Sequence, residues 1–148
     1  MVLLVILLAS CGWERKLSFE RHDRSASVEF MQPFPANGWG LEVRLITSSG
    51  QQTLYRIRGD VFLEFAQVYW SSDNKTVGIF TCGSPALKLA YEMPTHAKVP
   101  FSSIEKEMRA TIEKTYERRD RSIGALEWAC SIEGKDAFYR QYPGAVPR

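Results

Sequence analysis

The chain has 148 residues, and 19 Lys and Arg stand against 17 Asp and Glu, a formal net charge of +2. A balance this close to neutral offers no electrostatic footing for nucleic acid, which leaves that partner out. The length suits one domain with a proper core rather than several.

The chain opens MVLLVILLAS, with eight apolar residues between Met1 and the small pair Ala9-Ser10. A spanning helix needs about 20 such residues, so the run is too short to cross a bilayer. No Lys or Arg precedes it, which leaves a start upstream of Met1 open. The tetrad Leu8-Ala9-Ser10-Cys11 that closes it resembles the lipobox of a bacterial lipoprotein signal peptide. The resemblance implies that residues 1–10 are removed and that Cys11 becomes the lipidated N-terminus. Each buried acyl CH₂ contributes about 0.8 kcal/mol, so two or three chains on Cys11 hold a domain on the membrane. Gly12, where an aspartate would favour inner-membrane retention in enteric-type bacteria, leans toward the outer membrane, on its periplasmic side. With Cys11 taken by lipid, Cys82 and Cys130 remain as an even pair, read as a disulfide in an oxidising compartment. Such a bond closes a loop of about 49 residues and contributes roughly 4 kcal/mol in the chain-entropy model.

Residues 11–25 are charge-dense, with only Trp13, Leu17 and Phe19 as large apolar side chains, and suggest a tether leading into an edge strand. A single domain over residues 26–142 follows. Residues 26–31 predict a strand, ended by Pro33, Pro35 and Asn37-Gly38. Leu41, Val43 and Leu45 alternate with Glu42 and Arg44, the period of a half-buried strand. Ser48-Ser49-Gly50 turns the chain into residues 54–57, and Gly59-Asp60 turns it again. Residues 61–70 and 75–82 are rich in aromatic and β-branched types, with Ser71-Ser72-Asp73-Asn74 as the loop between them. A last strand at 86–93 stops at Pro94, giving an antiparallel meander of about five to six strands.

The period then changes. Ile104, Met108, Ile112 and Tyr116 recur every fourth residue along one helix face, with Ser102 and Glu105 spaced as a capping box. This helix is expected to end near residues 118–121. Residues 123–130 fit either a short helix or a strand. A further helix is expected from an N-cap at Ser131, with Ala137, Phe138 and Tyr142 inward and Pro143-Gly144 as its stop. Residues 143–148 are expected to fray. Strands first and helices later define an α+β class, with the C-terminal helices packed on one face of the sheet.

The segment over residues 68–83, VYWSSDNKTVGIFTCG, resembles hairpins of small bacterial lipoproteins, in which strand, Ser-x-Asp-x-Lys turn, strand and Cys-Gly follow in order. It is also similar to one hairpin of a β-propeller blade, but a propeller needs about four or more repeats and the chain has one copy. Candidate binding residues are Trp39, flanked by Gly38 and Gly40, Asp73 in the hairpin loop, and the basic cluster Arg118, Arg119 and Arg121. That cluster suits anionic headgroups or acidic wall glycan, and equally a solvated helix end.

Catalytic signals are poor. His22 and Asp23 are sequence neighbours, His96 sits in a loop, and Ser84 lacks the elbow of a nucleophile. Asp60, Glu64 and Asp73 would need to converge to share acid-base work. Two cysteines with distant histidines have no zinc spacing, so neither metal nor cofactor is expected. The expected function is a non-enzymatic envelope lipoprotein, held to the membrane by acyl chains on Cys11, that binds an envelope protein or peptidoglycan. A small-molecule or glycan binder using the loops around Trp39 and Asp73 is the second reading, and an enzyme or enzyme inhibitor the third. The anchor is testable by fractionation and mass spectrometry. Cys11 is expected to carry acyl chains, and Cys11→Ser to leave the membrane fraction; a membrane-bound Cys11→Ser protein would refute the anchor.

Overall fold

A computed structural model describes residues 12–34 and 39–145. Eight strands form two antiparallel sheets. The first sheet holds β1 (Gly12–Glu20), β2 (Ala26–Phe34), β3 (Gly40–Thr47) and β4 (Gly50–Arg58). The second holds β5 (Phe62–Trp70), β6 (Thr76–Ser84), β7 (Lys88–Glu92) and the two-residue β8 (Lys98–Val99). Three helices follow: α1 (Glu105–Thr115), α2 (Ala125–Ala129) and α3 (Ile132–Gln141). The class is α+β as expected, but the single meander of five to six strands is corrected to two sheets of four. Periodicity specifies strands and not partners, and β4 and β5 do not pair across residues 59–61.

The charge-dense N-terminal stretch is also more structured than a tether. Residues 12–20 are β1, the edge strand, paired along its length with β2. Leu17 and Phe19 enter the core while Glu20 stays exposed. A bulge between Arg15 and Leu17 breaks the register, and with it the alternation that would have announced a strand.

The second sheet is buried on both faces. Toward the helices, Phe65 packs on Tyr116 at 5.3 Å, Phe138 at 5.4 Å and Trp128 at 6.5 Å between ring centroids. Aromatic pairs of this kind contribute about 0.5–1.5 kcal/mol each beyond area burial. Phe80 stacks on Phe101 on the same side. Toward the first sheet, Val68, Val77, Ile79 and Leu89 meet Val28, Phe30, Leu41 and Val43 in one continuous core. The Tyr91 hydroxyl crosses between the layers and donates to the Leu54 carbonyl at 2.9 Å. A strand with apolar residues on both faces has no polar side to alternate with, which explains why β5 and β6 show no regular polar–apolar alternation.

The helices lie against the outer face of this second sheet. The apolar stripe of α1 is buried as expected, from Ile104 and Met108 to Ile112 and Tyr116. The capping box does not form: Ser102 lies in a 3₁₀ turn, Phe101–Ser103, and Ile104 is the N-cap without a side-chain bond. Burial of Ile104 fixes the entry of the helix in place of a hydroxyl cap. The helix also stops earlier than expected, at Thr115, because Tyr116 turns to an extended backbone that carries its ring into the core. Residues 125–129 resolve to a short helix. The Ser131 cap forms, its Oγ accepting from the Gly134 N–H at 3.3 Å.

The disulfide joins Cys82 on β6 to Cys130 at the end of α2, with Cα atoms 5.5 Å apart. It ties the helical layer to the sheet at one edge of the contact. Gly78 opens the other: a Cβ there would lie 2.6 Å from Ile104 Cδ1 and 3.3 Å from Met108 Cε. Gly78→Leu is therefore expected to lift α1 and to lower stability by about 1–3 kcal/mol, read as a lower urea midpoint. An unchanged midpoint would mean that the layers are not in tight contact there.

Candidate functional site

Four hairpin turns meet at one end of the two sheets, and each is built by its own side chains. In the first, the Asp23 carboxylate accepts from Arg21 Nε at 2.9 Å, the Ser25 N–H at 3.0 Å and the Ser25 hydroxyl at 2.7 Å. The Arg21 guanidinium beside it holds the Asp23 carboxyl far below the usual carboxylate range. In the β3–β4 turn, the Thr47 hydroxyl bonds the Ser49 hydroxyl at 2.9 Å. In the β5–β6 turn, Asp73 accepts from the Ser71 hydroxyl at 2.8 Å and the Lys75 N–H at 3.0 Å, and the Ser71 bond leads in lowering its pKa. Asn74 takes φ +59°, a left-handed conformation that Asn tolerates better than most residues. The fourth turn is fastened to the third by the Met93 N–H, which donates to the Lys75 carbonyl at 2.8 Å.

Between these turns lies a cavity of about 670 Å³, within the ~300–1,000 Å³ of small-ligand pockets. Buried Ala26 and Leu45 close its floor, with Met93 beside them. Its wall includes Trp70, over whose ring the Arg21 guanidinium carbon sits at 5.8 Å. Lys75, His96, Gln51 and Gln52 complete its polar lining. Two lining residues carry polar atoms shielded from solvent and without a hydrogen-bond partner, the Trp70 Nε1 donor and the Asn74 Oδ1 acceptor. A buried polar group left unsatisfied costs about 1–3 kcal/mol.

The expected site residues are not brought together. Asp73 belongs to one of the turns around the cavity, but its carboxylate faces its own loop. Trp39, 57% exposed, precedes Gly40 at the opposite end of β3 from the turn at Thr47. Eight strand residues at about 3.3 Å each put it some 25 Å from the cavity. Arg118 is largely buried: its guanidinium donates to Glu113 at 2.8 Å and to the Ile123 carbonyl at 3.0 Å, clipping the loop after α1. The Arg119 N–H donates to Glu133 at 2.8 Å, while the Arg119 and Arg121 side chains are exposed. Cys11 lies outside the described residues.

Asp60, Glu64 and Asp73 do not form a cluster. Glu64 pairs with Lys135 at 2.6 Å at the edge of β5, and Asp60 lies in the connection between the sheets, away from the hairpin turns. His22 is exposed in the first turn beside an Asp23 already engaged by Arg21 and Ser25. Among the described residues, no three or more His, Cys, Asp or Glu are grouped to hold a metal ion, and no helix is long and apolar enough to cross a membrane. Comparison with known protein families, with curated proteins and with solved structures returns no match.

Sequence reasoning passed over Arg21, Trp70, Asn74 and Lys75 as a group. Three of them stand at one hairpin loop, which was the available signal. Arg21 joins them only through the packing of the two sheets.

A second polar cluster lies on the outer face of the first sheet. Glu42 is 1% exposed. It accepts from Arg44 Nε at 2.6 Å, Thr53 Oγ1 at 2.8 Å and Arg56 Nε at 2.8 Å. Burial raises its pKa, but the bonds from Arg44, Thr53 and Arg56 together outweigh burial and hold the carboxyl below its usual value. Arg56 in turn lies over the Trp13 ring at 5.8 Å, so β1, β3 and β4 share one network. Because the folded-state pKa is depressed, the stabilisation is full above the unfolded value near 4.5 and fades as pH falls through the folded one. Glu42→Gln is expected to cost about 2 kcal/mol at pH 7, on the scale of hydrogen bonds to charged groups. The gap from the parent protein should narrow on acidification below about pH 4. Urea titrations at several pH values check both points; a gap independent of pH would remove the charge from the account.

Proposed function

We propose that the protein is a lipid-anchored, non-enzymatic binding module of the bacterial cell envelope, held through Cys11, whose ligand enters the cavity between the four hairpin turns. The carrying observation is a cavity of about 670 Å³ whose lining joins apolar Ala26 and Leu45 to Arg21, Trp70 and Lys75. A concave site with an apolar floor and few polar groups suits a small molecule or a glycan segment better than the flat patch used by a protein partner.

The topology supports the placement. Gly12 follows Cys11 directly and opens β1, which runs to the first hairpin turn. Nine strand residues at about 3.3 Å each put that turn some 30 Å from the start of β1 at Gly12. The cavity then opens at the end of the domain remote from the anchor, where soluble or wall-borne ligands reach it. The anchor holds the domain at the membrane surface, and β1 sets the reach of the site.

Photocrosslinking in intact cells tests the reading. A photoreactive residue at Ser49, which lines the cavity, is expected to capture a glycan or small molecule. The same probe at exposed Arg121, outside the cavity lining, serves as the control and is expected to capture none. Equal capture at both positions, or capture at neither, would overturn the cavity as the binding site.

A further inference from the structure

We infer that the end of the domain opposite the cavity is a membrane-contact face, on which Trp39, Ile57 and Phe62 enter the bilayer interface; the inference rests on Cys11 being the lipidated residue. The first argument is the length of chain between the lipid and the fold. Cys11 directly precedes Gly12, where β1 begins, and Gly12 already pairs with Phe34. One peptide unit spans about 3.8 Å between Cα atoms, so no spacer lifts this end of the first sheet off the headgroups. Whatever the domain exposes there lies against the lipid. A protein partner would have to reach this end through the layer to which Cys11 is fixed.

The second argument is what that end exposes. Among the described residues, the large apolar side chains left exposed are Trp39, Ile57, Phe62, Ile123 and Ile132. The first three gather at the anchored end, and the four hairpin turns at the other end contribute none. Trp39 leads into Gly40, where a Cβ would lie 3.3 Å from Trp13 Cη2 and 3.1 Å from the Ile57 carbonyl oxygen. The starts of β1 and β3 and the end of β4 therefore meet at one corner. Phe62 opens β5 just beyond it, and nine strand residues at about 3.3 Å each put Phe62 some 25 Å from Trp70 in the cavity wall. Arg58 and Asp60, both exposed between Ile57 and Phe62, are of opposite sign, so apolar side chains and not net charge characterise this stretch. A Trp ring suits the headgroup level, where its apolar body is sheltered and its N–H stays hydrated. Acyl chains on one cysteine retain the domain but leave it free to swivel. Three apolar side chains beside them fix its orientation, with the cavity turned away from the bilayer.

Tryptophan quenching on the full mature lipoprotein in vesicles tests the contact. The vesicles are of phosphatidylethanolamine and phosphatidylglycerol, with and without a phosphatidylcholine brominated high on its acyl chains, a short-range quencher. The bromolipid is expected to quench the parent protein, and Trp39→Phe to lose most of that quenching. In the Trp39→Phe background, Phe62→Trp is expected to restore it, whereas Ser49→Trp, at the cavity end, is not. Flotation of every variant with the vesicles checks the anchor, and its thermal transition checks the fold. In protein that floats, quenching that is absent, that survives Trp39→Phe, that Phe62→Trp does not restore, or that Ser49→Trp restores equally well overturns the membrane-contact face. The Cys11 anchor then stands. Protein that fails to float refutes the anchor itself, and the inference falls with it.

Discussion

Burial of β5 and β6 on both faces is the constraint on which the other layers depend. One side of this hairpin presents Phe65, Phe80 and Cys82 to the helices, and the other presents Val68, Val77 and Ile79 to the first sheet. Apart from Phe19 of β1, whose ring meets Tyr142 after α3, the first sheet and the helices bury their apolar sides against this hairpin. The first sheet without the second would expose Val28, Phe30, Leu41 and Val43, and α1 without it would expose Met108 and Ile112. Close packing at this contact explains why a glycine stands at position 78, while the disulfide fastens the opposite edge. The same hairpin carries Trp70, Asn74 and Lys75 into the cavity, so the site is an extension of the most constrained strand pair in the molecule.

The polar groups follow a consistent division. Carboxylates in the turns are used locally: Asp23 holds residues 21–25 together, Asp73 holds residues 71–75, and Asp120 bonds Ser122. Glu42 does the same work on a larger scale, drawing three strands together from one buried position. Amides and cations are left to line the hairpin end. The character of the cavity is therefore a by-product of how the turns are built, since each acidic side chain that shapes a loop is withdrawn from its surface. Such an arrangement favours anions without a dedicated cluster of basic residues.

Much of the fold is legible in the sequence where periodicity and pairing rules act locally. The alternation at Leu41, Val43 and Leu45, the four-residue stripe from Ile104 to Tyr116, the Ser131 cap and the Cys82–Cys130 pair are all read from neighbouring or enumerable residues. The illegible parts have physical causes. In residues 12–20 the bulge and the dense charge hide the alternation, and the strand is fixed instead by its pairing with β2. The division into two sheets depends on which strands do not pair, and side-chain pattern carries no record of that. Ser102 and Glu105 have the spacing of a cap, but burial of Ile104 outweighs it. The candidate site was half legible. The hairpin around Asp73 stands out by its turn residues, whereas the separation of Trp39 from it follows from strand direction alone.

Every strand in both sheets pairs only with its neighbours in the chain. Residues 12–58 complete the first sheet and residues 62–99 the second, so no strand must wait for a partner on the far side of the molecule. Short loop closures of this kind carry little entropic delay, and the order of assembly can follow the order of synthesis. The helices arrive afterwards on a sheet already shaped to receive them. Cys130 comes last among the cysteines, and its bond to Cys82 joins the third layer to the second. The one covalent cross-link among the described residues therefore fastens the segment synthesised last to the strand pair that all the other layers share.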